Sequence, residues 1–137
     1  MTEIIEKRIT AQEFNYLTEK VGWGIRNELL VEEALSNTLY SVCAYDNKQL
    51  IGFGRLIGDK TIFLYVQDVM AIPEYQGKTV GTEIMNNIVF KIKELKECSP
   101  TLRVYLGASK GKEEFYKRFG FITRAEADLG EGMLWLK

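Results

Sequence analysis

The chain contains no histidine. That absence removes every Ser-His-Asp and Cys-His nucleophile system and most zinc sites. An enzyme made from this sequence must draw its acid and base from Asp, Glu, Tyr, Lys or Cys, and no metal is expected. Cysteine is scarce too. Cys43 and Cys98 are far apart and form no C-x-x-C pair. Cys43 sits in the alternating stretch "LYSVCAYD" and reads as a small buried hydrophobe. Neither cysteine has an adjacent basic residue to activate a thiolate, so both read as structural. There are only two prolines, Pro73 and Pro100, and no repeats, low-complexity segments or linkers, so a single domain spanning 1–137 is expected. No apolar run is long enough to span a bilayer, and "MTEIIEKRIT" lacks a signal-peptide core. The expectation is a cytoplasmic protein without a membrane partner. Lys and Arg total 18 against 19 Asp and Glu, a net charge of −1 that leaves no footprint for nucleic acid. Lys110, Lys112, Lys117 and Arg118 form the densest local basic cluster.

What is present is ordinary for a globular chain: 46% apolar and 27% charged residues over 137 positions, enough for a normal core. "IIEKRI" reads as a first strand. "TAQEFNYLTEKVGW" follows as a helix with Thr10 as N-cap and Phe14, Leu17 and Val21 inward. A second short helix fits "NELLVEEALSN", with Asn27 as cap and Leu30, Ala34 and Leu35 inward. The next stretch, "LYSVCAYDNKQLIGFGRLIGDKTIFLYVQDVMAI", divides into three strands at Asp46-Asn47-Lys48 and Gly58-Asp59-Lys60, a natural antiparallel meander. The third of these strands alternates Ile62, Leu64, Val66, Met70 and Ile72 on one face with Phe63, Tyr65, Val69 and Ala71 on the other. It is therefore expected to be central and covered on both sides. "VGTEIMNNIVFKIKEL" carries Val80, Ile84, Ile88, Ile92 and Leu95 on one helical stripe. "RVYLGA" reads as a strand, "GKEEFYKRF" as a short helix ended by Gly120, and "FITRAEA" and "GMLWLK" as closing strands. The expected order is β-α-α-β-β-β-α-β-α-β-β, a mixed α/β fold.

The stretch "PEYQGKTVGTEIM" contains Gly77-Lys78-Thr79, the tail of a nucleotide-binding P-loop. The first glycine of that pattern falls on Ile72, so the loop is too short to wrap a triphosphate. A helix N-terminus still offers unpaired N–H donors and a partial positive charge that favour phosphate. Gly77 and Gly81 allow close approach to the backbone, and Lys78 adds a mobile cation. The alternative is an ordinary strand-to-helix turn whose glycines serve turning alone. Asp68 also stands out, because a carboxylate inside a central strand is costly to bury unpaired. It is either satisfied by a bulge or by a neighbour such as Arg55, or it is a general base for an amine that is mostly protonated at neutral pH.

Read together, "VMAIPEYQGKTVGTEIM" and "EEFYKRFGF" resemble two signatures of the GNAT N-acetyltransferase superfamily. The first is its acetyl-CoA-binding segment, with Gln76 and Gly81 matching the ends of the Gln/Arg-x-x-Gly-x-Gly/Ala motif. The second is its FYxxxGF signature, with Phe115, Tyr116, Gly120 and Phe121 in register. Their order and mutual distance cover nearly the whole chain. The resemblance implies a GNAT-like mixed, mostly antiparallel sheet flanked by helices. It also implies acetyl-CoA as acyl donor and direct acetyl transfer to a primary amine on a small molecule or peptide. By the same resemblance, Val69, Met70 and Ala71 pair with the pantetheine arm, and Gly77, Lys78, Thr79, Val80, Gly81 and Thr82 cup the pyrophosphate. Tyr116 protonates the departing thiolate, and a homodimer is common in the family. Thr79 departs from the family, which has glycine there. Threonine avoids positive φ and brings a Cβ near the pyrophosphate. Ser109 stands where several members have an Asn, and no role is carried to it. The first two helices are placed beside the acceptor cleft, so Trp23, Arg26, Glu28 and Glu32 are candidates to face the amine. The rival reading from another class is a non-catalytic acyl-CoA-binding or sensing domain on the same fold.

Overall fold

The computed structural model describes residues 2–136. The chain divides into two compact units, Met1–Tyr105 and Leu106–Lys137. The elements run β1 (Thr2–Glu6), α1 (Ala11–Lys20), α2 (Glu28–Ser36), β2 (Tyr40–Asp46), β3 (Gln49–Gly58), β4 (Phe63–Ala71), α3 (Val80–Cys98), β5 (Arg103–Leu106) and α4 (Glu113–Lys117). One five-stranded sheet forms in the order β1-β2-β3-β4-β5, with antiparallel pairing from β1 through β4. This mixed α/β architecture, an open and mostly antiparallel sheet flanked by helices, is the expected class.

Local chemistry sets the element boundaries in the first unit. At α1, Thr10 Oγ1 accepts from the Glu13 N–H and Glu13 Oε1 accepts from the Thr10 N–H, at 3.1 and 2.9 Å. This reciprocal box satisfies two backbone donors that the first helical turn leaves over. Asn27 Oδ1 caps α2 by accepting from Leu29 and Leu30. The inward stripe of α2 is Val31 and Leu35, whereas Leu30 and Ala34 are exposed. Burial of Val31 and Leu35, one turn apart, sets the rotation of the helix, and Leu30 and Ala34 lie to one side of that stripe. Asn47 and Lys48, both at positive φ, close the β2–β3 hairpin. Asp59 Oδ1 accepts from the N–H groups of Thr61, Ile62 and Phe63, which keeps Ile62 in the turn rather than in β4.

The sheet is covered on both faces, and β3 shows how. Successive side chains on a strand point to opposite sides. A Cβ placed on Gly52 or Gly54 would meet Ile84, Val80 or Ile88 of α3. Phe53, between them, lies edge-on to Phe14 of α1 at 6.1 Å. Thus α3 covers one face and α1 the other. The α3 stripe of Val80, Ile84, Met85, Ile88 and Ile92 is buried, as its spacing demands. Cys43 is fully buried and Cys98 exposed.

In the second unit, α4 carries a small aromatic cluster. Phe115 meets Tyr116 at 5.0 Å and Phe119 at 5.3 Å, and Tyr116 meets Phe121 at 6.4 Å. The two closing strands expected from "FITRAEA" and "GMLWLK" are not formed among the described residues. In the first, Thr123 and Glu126 exchange side-chain and backbone hydrogen bonds at 2.9 and 3.1 Å, a capping box that starts a turn through Leu129. Met133, Leu134, Trp135 and Leu136 are at least 80% exposed; Lys137 lies outside the described residues. Among the described residues no helix is long and apolar enough to cross a membrane.

Candidate active site

The strand that carries Asp68 is irregular at that point. Phe53 pairs with Met70 and Arg55 with Gln67, so Gly54 alone on β3 stands opposite two residues of β4, Asp68 and Val69. Asp68 takes φ +56°, a conformation that Asp tolerates better than most residues. This bulge overturns the simple alternation. Val66 faces Leu56 on the α3 side, whereas the Asp68 carboxylate emerges on the opposite side against Arg55. Asp68 therefore does not share a face with Val66, because the extra residue reverses the parity of the strand.

Arg55 Nε and Asp68 Oδ2 are 2.7 Å apart, and both side chains are only 12% exposed. Arg55 Nη1 also donates to the Ala34 carbonyl and to Thr38 Oγ1, at 3.2 and 3.0 Å. The pair forms one side of a cavity of about 200 Å3 that also receives Gln67 and Arg26. Its apolar walls are Phe14 of α1 and Leu30, Val31 and Leu35 of α2. Of the four residues proposed to face an acceptor, only Arg26 lines this cavity. Glu28 accepts from Gln12 and Glu32 pairs with Arg8, both at 3.1 Å and both outside the cavity lining, while Trp23 is 44% exposed.

After the bulge, Val69, Met70 and Ala71 complete β4, and Ile72 N–H donates to the Ile51 carbonyl at 2.9 Å. A single 3-10 turn, Pro73–Tyr75, then leads to the loop. Gln76 Nε2 donates to the Ala71 carbonyl at 2.8 Å, so its amide ties the loop back to the strand end. Gly77 adopts φ +76°, and a Cβ there would meet nothing within 4 Å. The glycine is needed for its backbone conformation and leaves open space above it. Lys78 Nζ lies 5.2 Å from the Tyr75 ring centroid, and the Tyr75 hydroxyl donates to Asp46 Oδ2.

Thr79, where the related motif has glycine, sits at φ −89° and ψ 1°, so the substitution introduces no left-handed strain. It is the N-cap residue of α3, yet its side chain makes no capping hydrogen bond. The start of α3, through Val80 and Gly81, thus presents backbone donors that no cap side chain covers. Gln76, Gly77, Lys78 and Thr79 are all exposed. Such a helix end attracts an anion through both its N–H groups and its dipole.

Tyr116 belongs to the second unit, on α4. It lines a cavity of about 440 Å3 with Leu106, Ala108, Phe121 and Thr123. Burial pushes the phenol above its ordinary pKa of 10.0, so it holds its proton at neutral pH. Of the basic cluster in this unit, Lys117 bridges Glu114 and Glu126 at 3.3 Å each, and Arg118 stacks over Phe115.

Two features escape a reading of the sequence. Asn15, nearly buried, accepts from the Arg26 N–H and donates to the Arg26 carbonyl, at 3.1 and 2.8 Å. It clamps the α1–α2 loop at the residue that lines the cavity, and nothing local in the sequence signals a contact eleven residues away. The bulge is the second: it turns the Asp68 carboxylate to the cavity side beside Gln67, which alternation alone does not reveal.

Comparison with known proteins places these features in a family. The acetyltransferase (GNAT) domain family matches residues 8–137. An uncharacterized N-acetyltransferase, ycf52-like, of Prochlorococcus marinus is 34% identical over 120 residues, covering 85% of this chain and 64% of that protein. The chain thus spans just under two thirds of the length of this relative. A probable acetyltransferase of unknown function from meticillin-resistant Staphylococcus aureus has a solved structure with TM-score 0.88 and 30% identity, covering 100% of this chain and 99% of its own. A GNAT-family acetyltransferase from Streptococcus pneumoniae gives TM-score 0.83 and 29% identity, covering 100% and 98%. The chain belongs to the GNAT acetyltransferase family and carries that family's acetyltransferase domain.

Proposed function

We propose that this protein is an N-acetyltransferase that moves an acetyl group directly from acetyl-CoA to a primary amine on a small molecule or peptide. The observation that carries this reading is the junction of β4 and α3. There a strand end is tied by Gln76 to an open, glycine-containing loop, followed by a helix start without a side-chain cap. Those donors suit the diphosphate of coenzyme A, and Val69, Met70 and Ala71 offer strand backbone to its amide-bearing arm. The residues from Gly77 to Thr82 fit such a group on their own chemistry: exposed backbone, a mobile lysine and a hydroxyl not used for capping.

In this reading Asp68, directly or through a water, takes the proton from the incoming ammonium group. The freed amine attacks the thioester carbonyl carbon. An N–H of Met70 or its neighbour holds the oxygen that becomes negative. The nitrogen, cationic after attack, gives its extra proton to water, and collapse of the tetrahedral species forms the neutral amide and breaks the C–S bond. Tyr116 gives its proton to the leaving sulfur. Its raised pKa means the proton is present to give at neutral pH. Asp68 begins engaged with Arg55, so that contact must be shared as the carboxylate accepts the proton.

The test mixes protein and acetyl-CoA with a panel of primary amines and follows free thiol, alongside calorimetry with coenzyme A. Binding with amine-dependent thiol release is expected. Absence of heat and of thermal stabilisation at saturating coenzyme A overturns the reading, and binding without turnover on any amine favours the sensing alternative.

A further inference from the structure

The acceptor's chemistry can be argued from the charges around the 200 Å3 cavity beside the bulge, on the reading that acetyl transfer to an amine occurs at Asp68. Three ionic side chains line it: Arg26, Arg55 and Asp68. Arg55 is spent internally, since its Nε faces Asp68 and its Nη1 holds the Ala34 carbonyl and Thr38. Arg26 is not. Among the described residues its guanidinium has no ion pair, while its backbone is gripped on both sides by Asn15. A nearly buried asparagine thus fixes the backbone from which a guanidinium with a free fork of donors extends. The acids that would draw in a purely cationic amine are turned elsewhere: Glu28 to Gln12 and Glu32 to Arg8.

The cavity's formal charge is therefore +1, from two guanidinium groups and one carboxylate. A polyamine entering it would meet net repulsion with one carboxylate to share. A molecule that carries an anion as well as an amine meets complementary groups for both. The cavity's volume of about 200 Å3, roughly the room of seven waters, suits a group about the size of one amino acid. Phe14, Leu30, Val31 and Leu35 offer apolar surface to the rest of such a molecule.

We propose that the acceptor is a small amine bearing a carboxylate or phosphate, and that Arg26 is the residue that binds this anion and selects for it. Asp68 meets the amine, Arg26 the anion, and the α1–α2 walls the body between them. The planar fork of Arg26 suits either anion in bidentate fashion.

Matched pairs test this through thiol release with acetyl-CoA: phenylalanine against phenethylamine, leucine against isoamylamine, and O-phosphoethanolamine against ethanolamine, with spermidine added. The wild-type protein is expected to favour anion-bearing members by about 10- to 100-fold in kcat/KM, the range of one charge-assisted contact. The amino-acid and phosphate arms tell which anion is preferred. Arg26→Ala is expected to bring that ratio toward one, and Arg26→Lys to restore part of it. Thermal melts and coenzyme A calorimetry on each variant check that the fold and the donor site are intact. Equal or faster turnover of the anion-free members or of spermidine overturns the inference while leaving acetyl transfer standing. An undiminished preference in Arg26→Ala, or no turnover of any member, also overturns it. Loss of coenzyme A binding in the wild type would remove the underlying reading itself.

Discussion

Replacing Gly52 with alanine tests whether α3 is held against the sheet at contact distance, as the donor site requires. A Cβ at this position would lie 2.8 Å from the Met70 carbonyl oxygen, 2.9 Å from Ile84 Cδ1 and 3.1 Å from Val80 Cγ1. The tip of Ile84 can rotate away. The Met70 oxygen is backbone in a paired strand, and Val80 is 2% exposed at the first turn of α3, so neither can yield cheaply. Overpacking of this kind costs about 1–3 kcal/mol. Alanine recovers about 0.5–1 kcal/mol of glycine's excess chain entropy in a strand. The difference is a net loss of about 1–2 kcal/mol, or about 5 °C in Tm for a domain of this size. Urea unfolding followed by circular dichroism should show a lower midpoint with an unchanged slope. Gly22→Ala is the control. There a Cβ meets nothing within 4 Å, but φ is +85°, so its cost of about 1 kcal/mol is pure backbone strain. Because Met70 and Val80 bracket the loop, Gly52→Ala should also weaken coenzyme A binding more than the control does. If Gly52→Ala matched wild type within about 0.5 kcal/mol, the claim that close packing positions the start of α3 would be refuted.

Tyr116→Phe keeps the ring packing on Phe115 and Phe121 but removes the proton. Turnover should fall about 100-fold or more with coenzyme A affinity unchanged, and an unaltered rate would remove Tyr116 from the chemistry. Thr79→Gly should preserve or tighten acetyl-CoA binding measured by calorimetry, since Thr79 makes no capping bond; a large loss would identify its hydroxyl as a ligand group. Burial pushes the Cys43 thiol from its ordinary 9.0 up to about 12. A pKa raised in the folded state gives stability that is complete below the unfolded value and lost as pH climbs toward the folded one. Urea midpoints should therefore decline above pH 9, and Cys43→Ala should decline less steeply over that window.

Much of the first unit is readable residue by residue. The hairpin at Asn47-Lys48, the turn organised by Asp59, and the caps at Thr10 and Asn27 are local devices whose side chains lie within a few positions of the backbone they satisfy. The pairing of Asp68 with Arg55 follows from the cost of burying a lone carboxylate. The bulge beside it does not, because an alternating pattern counts two residues per repeat and has no symbol for an inserted one. That is why Val66 and Asp68 part company. Thr123-Arg124-Ala125-Glu126 failed for a different reason. Its apolar-polar alternation suggests a strand, but Thr and Glu three apart can close a capping box, and the local hydrogen bonds prevail. The Asn15 clamp on Arg26 depends on where a loop returns, which only tertiary structure decides.

The strands lie in the sheet in the same order as in the chain. Joining β2 to β3 and β3 to β4 closes loops of only a few residues, so those pairings need little search. Bringing β1 to β2 must close a connection of roughly thirty residues, and the entropy of that closure is about 2 kcal/mol greater for a flexible chain. Loop entropy thus predicts that the central meander forms first and that β1 is the last of these four strands to dock. Substitutions confined to β1 should show up mainly as faster unfolding, with the refolding rate little changed.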